Sequence, residues 1–77
     1  MSKIQHPTFE AMADRWPSAV VARNQVEKLT GGLITPNYLA NLDSQGLGPA
    51  GRFKCGGKVA YPIDDFVAWL SERTETL

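Results

Sequence analysis

Glycine and proline punctuate this chain at Pro17, Gly31-Gly32, Pro36, Gly46, Gly48-Pro49, Gly51, Gly56-Gly57 and Pro62. No other feature limits the fold as much. Proline has no backbone N–H and pushes the residue before it out of the helical region, while glycine is the usual residue where a helix ends or a hairpin turns. Every element between these breakers must be short. A chain of 77 residues also buries only about 60% of its unfolded surface, so one small domain is expected and a deep catalytic pocket is not.

The segments between breakers have readable periods. Residues 1–6 read as a loose tail. Phe9, Met12, Ala13 and Trp16 fall at i, i+3, i+4 and i+7, which predicts a helix over residues 8–16 with Thr8 as its cap. Residues 18–22 read as a connector packed on the core. Asn24 and Glu27 have capping-box spacing and start a short helix that buries Val26 and Leu29, with Gly31 as its left-handed C-cap. Thr35 is then an N-cap and Pro36 the first residue of a helix running to about Gln45, with Leu39 and Leu42 inward. Residues 23–45 thus read as a helix-turn-helix. Residues 46–51 form a loop, and residues 62–73 a closing helix that buries Ile63, Phe66, Val67 and Leu70, with Trp69 at its edge.

The segment 51–61, GRFKCGGKVAY, reads as a β-hairpin around Gly56-Gly57. A two-residue loop would put Val59 and Tyr61 on the face of Arg52 and Lys54. A three-residue loop, Cys55–Gly57, with Gly57 left-handed in a bulge, pairs Lys54 with Lys58, Phe53 with Val59 and Arg52 with Ala60. Burial of one apolar face selects the second register, which gathers Arg52, Lys54 and Lys58 on the other face. Lys54 opposite Lys58 repels, and a polyanion relieves that repulsion.

Charge matters here by position. The chain holds eight basic and eight acidic residues, yet residues 45–61 carry Arg52, Lys54 and Lys58 without an acid. Residues 62–77 carry Asp64, Asp65, Glu72 and Glu75 against Arg73 alone. A local field of one sign governs binding even when the total is zero. Asp64 and Asp65 read as acids at a helix N-terminus and not as a catalytic pair, since adjacent residues diverge around a helix. One His and one Cys make no usual zinc site, and no Gly-rich phosphate loop or nucleophile–base constellation is present, so neither a cofactor nor catalysis is expected. Cys55 alone makes no internal disulfide. The N-terminal MSKIQHPTFE lacks the apolar stretch of a signal peptide, and no apolar run is long enough to span a bilayer, so a cytoplasmic location is expected.

The order of these elements resembles the winged helix-turn-helix excisionase and MerR-like DNA-binding family. The residues that carry the resemblance are Val26, Leu29, Thr35, Pro36, Leu39 and Leu42, GLGP at 46–49, Arg52, KVAYP at 58–62, and Asp65, Phe66, Trp69 and Leu70. The fold class it implies is mainly α with a small β-hairpin, a winged helix-turn-helix with an extra N-terminal helix. It implies that residues 36–45 enter the major groove of double-stranded DNA while the wing grips the backbone. Use as a recombination directionality factor or phage-type regulator follows, with a recombinase or integrase, or copies of the chain on tandem sites, as partners. The alternative is a protein-interaction adaptor or terminase small-subunit-like module.

The expected contacts are Arg23, Thr35, Asn37, Tyr38, Asn41, Ser44, Arg52, Lys54 and Lys58. Asn37 and Asn41 lie off the Leu39/Leu42 stripe and are the first choices for base contact, since Asn pairs bidentately with adenine. Ser44 and Tyr38 suit phosphates. Arg23 suits a phosphate or an ion pair with Glu27, four residues on. Trp16 and Trp69 read as packing residues. The segment TPNYLANLDSQ has no Arg or Lys and contains Asp43.

Overall fold

A computed structural model describes residues 7–75 of the chain. The expected tail at 1–6, with His6, lies outside the described residues. Four α-helices and a three-stranded antiparallel sheet make a mixed α/β unit. In chain order these are α1 (Pro7–Arg15), β1 (Val20–Ala22), a 3-10 turn (Arg23–Gln25), α2 (Val26–Thr30), α3 (Pro36–Ser44), β2 (Phe53–Cys55), β3 (Lys58–Pro62) and α4 (Ile63–Glu72). No helix among the described residues is long and apolar enough to cross a membrane.

The expected fold, mainly α with a small β-hairpin, gains a third strand, β1. The connector at 18–22 contains a strand, and the sheet order is β1-β3-β2 with β3 in the middle. Val20 pairs with Pro62, Val21 with Tyr61 and Ala22 with Ala60. Three residues are too few to display an alternation, and the partner strand is far along the chain. Val21 and Tyr61 are both fully buried, so this pairing closes the core.

Helix α1, Pro7–Arg15, contains Thr8 within it, where the sequence places a cap. Phe9 is buried, and Met12, Ala13 and Trp16 pack against the core as their spacing predicts. The Trp16 indole donates to the Val20 carbonyl at 2.9 Å and ties the end of α1 to β1. The Asn24–Glu27 capping box does not form. Asn24 lies within the 3-10 turn, α2 begins after Gln25, and neither start has a side-chain cap. That turn carries the chain from β1 directly into α2, so the backbone needs no separate cap.

The turn between α2 and α3 follows its sequence signals. Gly31 is left-handed at φ 65°, and the Thr35 hydroxyl accepts from the Tyr38 N–H at 3.2 Å. Buried Thr30 adds a link the sequence does not announce. Its hydroxyl donates to the Val26 carbonyl at 2.7 Å and accepts from the Ile34 N–H at 3.1 Å. Leu39 and Leu42 point inward from α3, and α4 buries Ile63, Phe66, Val67, Ala68, Trp69 and Leu70. Trp69 is buried, not peripheral, and its indole donates to the Leu47 carbonyl at 2.9 Å, holding the 46–51 loop.

The hairpin takes the register that the sequence argument rejects. Phe53 pairs with Ala60, Lys54 with Val59 and Cys55 with Lys58, around a two-residue Gly56-Gly57 loop. Both glycines have positive φ, 57° and 84°, as the tight primed turn requires. The cations therefore divide between two faces. Lys54 shares the side of Val59 and Tyr61, whereas Lys58 shares the side of Ala60 and Phe53, and no Lys54–Lys58 pair forms. Apolar sorting fails as a guide because the core side holds a buried carboxylate that takes Arg52, and Phe53 is left 40% exposed.

Candidate nucleic-acid interface

Helix α3 presents Asn37, Tyr38, Asn41 and Ser44 to solvent. This polar side results from Leu39 and Leu42 facing the core at helical spacing. The Ser44 hydroxyl donates to the Asn41 carbonyl at 2.8 Å, while Thr35 is occupied as the cap.

Asp43 is the residue of α3 that departs most from the pattern. It is 7% exposed, on the inner side of the helix. A buried carboxylate is stable only when paired and hydrogen-bonded. Arg23 from the 3-10 turn donates to Asp43 Oδ2 at 2.6 Å, and the Tyr61 hydroxyl from β3 donates to the same oxygen. Arg23 also donates through Nε to the Tyr61 oxygen at 3.0 Å, closing a triangle of side chains. Arg52 approaches Asp43 Oδ1 from the root of the hairpin at 3.4 Å. Burial and the hydrogen bond to Asp43 push the Tyr61 hydroxyl up to about 12, although Arg23 pulls the other way. Burial works against the Arg23 charge, but hydrogen bonds to Tyr61 and Asp43 outweigh it and raise its pKa.

This cluster changes the reading of two predicted contacts. The Arg23–Glu27 ion pair is not formed, because the guanidinium reaches Asp43 instead. Arg52 remains about half exposed but has a carboxylate beside it. Lys54 and Lys58 are exposed and have no ion pair among the described residues. The loop at 46–51 is shaped around the same acid. A Cβ at Gly48 would fall 1.8 Å from Asp43 Oδ1, so any side chain there forces the loop or the acid to shift.

Two cations reach the cation-free helix from elsewhere. Lys58 lines a cleft of about 270 Å³ together with Arg23, Asn24 and Pro36, so the hairpin tip stands beside the start of α3. Arg73, just past α4, donates to the Tyr38 oxygen at 2.8 Å and lies 5.0 Å over the Trp69 ring. Arg73 is not among the contacts expected from the sequence. Its position four residues after Trp69, the spacing of helical neighbours, is the signal that points to it. Because the Tyr38 oxygen accepts from Arg73, the phenolic hydrogen stays free for an acceptor in solution.

Among the described residues no group of His, Cys, Asp and Glu could hold a metal ion. Compared with protein-family models, curated proteins and solved structures, the chain matches none of them.

Proposed function

We propose that this chain is a small sequence-specific binder of double-stranded DNA, built as a winged helix-turn-helix with an extra N-terminal helix. Helix α3 enters the major groove, Asn37 and Asn41 meet base edges, and the β2–β3 hairpin lies on the adjacent backbone. The observation that carries the reading is the flanking of α3 by Lys58 and Arg73, from two other elements. A helix with no cation of its own thereby acquires two phosphate contacts beside its exposed polar side.

Lys54 lies on the other face of the hairpin from Lys58 and offers a separate exposed cation there. Arg23 serves the interior through Asp43, and Arg52 adds a weaker contact than its exposure suggests. The cytoplasm is the expected compartment. Roles as a recombination directionality factor, a phage-type regulator or a packaging subunit rest on the family resemblance of the element order. A protein-adaptor role for the same fold has its own support in Leu33 and Leu47, which are 68% and 54% exposed.

Duplex binding measured at about 50 and 200 mM salt tests the proposal, because each neutralised phosphate adds about 0.9 to the slope of log K against log salt. Binding at the lower salt that weakens steeply at the higher supports it. Absence of binding at the lower salt overturns it.

A further inference from the structure

A second surface lies away from α3 and the hairpin. An open groove of about 430 Å³ runs between α1 and α2, with Ala11, Met12, Trp16 and Leu29 among its lining and Arg15 and Lys28 exposed at its margin. Its size is within the range of ligand and anchor clefts, about 300–1,000 Å³. The Trp16 indole N–H is already bound to Val20, so the ring offers the groove apolar surface only. Neither Arg15 nor Lys28 has an ion pair among the described residues. The acids of the same two helices, Glu10, Asp14 and Glu27, do not line it.

Charge and burial narrow the occupant. Residues 1–6 contain Lys3 and no acid, so that segment does not complement two cations. The acidic helix of a second copy, α4, has already buried its apolar side in its own core. What fits is a helix with a free apolar side and carboxylates beside it. We propose that the α1–α2 groove docks an acidic amphipathic helix of a partner protein. Its large apolar side chains sit on Met12, Trp16 and Leu29, and its carboxylates meet Arg15 and Lys28. The groove shares no residue with the proposed DNA contacts, so both surfaces can be occupied at once.

The test uses the full chain and two synthetic peptides of about three helical turns with Leu at i, i+3, i+4 and i+7. One carries Glu at the flanking positions and its twin carries Lys. Amide shifts in α1 and α2, together with the shift of the Trp16 indole N–H, report binding. The expected result is saturable micromolar binding of the Glu peptide, at least about tenfold tighter than its twin, with preference inverted in the double variant R15E/K28E. Both positions are exposed, so the variant should keep its fold, which its amide spectrum checks. Equal binding of the twins, shifts confined to other surfaces, or no saturation by millimolar peptide overturns the proposal. So does a groove already filled by residues 1–6, seen as contacts between Ile4 and Trp16. Self-association in sedimentation that shifts the groove amides overturns it as well.

Discussion

The Arg23 guanidinium and the Asp43 carboxylate, twenty residues apart in the chain, meet at 2.6 Å and join the 3-10 turn to the last turn of α3. Tyr61 on the same carboxylate oxygen brings in the central strand. Removing one member of a buried pair leaves the other uncompensated, at a cost of about 3–5 kcal/mol. Arg23 is a quarter exposed, so water moderates the loss. Asp43→Ala is expected to destabilise the fold by about 3 kcal/mol in urea denaturation. Tyr61→Phe should cost less on the D43A background than on the wild type, because the two changes remove one shared network.

Tyr61 also makes stability depend on pH at the alkaline end. Its folded-state pKa is raised from 10.0 to about 12, so the native protein keeps a proton that the unfolded chain releases. Stability is then fully present below 10 and falls as pH rises through the interval up to 12. The denaturation midpoint followed across this interval should decline more steeply for the wild type than for Tyr61→Phe. Parallel profiles for the two proteins would show that Tyr61 is not the responsible group.

Gly48→Ala tests the fit of the loop around Asp43. The added methyl would fall 1.8 Å from Oδ1 and 2.9 Å from Cγ of that side chain, so either the loop or the acid must move. A loss of about 1–3 kcal/mol is expected from overpacking alone, read as a lowered urea midpoint. Gly46 has open space around its Cβ direction, and its cost in the matching alanine variant comes only from the left-handed backbone at φ +75°.

Thr30→Val keeps the shape of the side chain and removes its hydroxyl. The Ile34 N–H then loses its acceptor in a buried turn, which costs about 1–3 kcal/mol. Hydrogen exchange should show faster opening at Ile34 than in α4. Unchanged protection at Ile34 would mean that another acceptor replaces Thr30.

The DNA contacts are ranked by their internal partners. Lys58→Ala and Arg73→Ala should each flatten the salt slope by about 0.9 without changing preference among sequences. Arg52→Ala should have a smaller effect, since Asp43 lies beside Arg52 in the free protein. Asn41→Ala should reduce discrimination between sites by about 1–3 kcal/mol, measured by competition between duplexes. An Arg52 effect equal to that of Lys58 would mean that DNA displaces Asp43 fully.

Local rules carried the α2–α3 unit. Gly31, Thr35 and Pro36 act through neighbours a few residues away, so their roles are legible in the sequence. The same holds for the apolar spacing in α1 and α4. The capping box failed because a 3-10 turn already occupied its position. The hairpin register failed because an apolar/polar sort has no place for an arginine that serves a buried acid.

The sequence alone therefore determined the turn between α2 and α3 and the start of α3, because capping and backbone restriction act over a few residues. Tertiary structure decided the third strand, the faces of the hairpin and the availability of each cation. Strand β1 is defined by a partner some forty residues away, and Arg23, Arg52 and Lys58 look alike in sequence. Only Asp43, turned inward on α3 between the 3-10 turn and the hairpin, separates the two arginines it pairs with from the lysine it leaves to solvent.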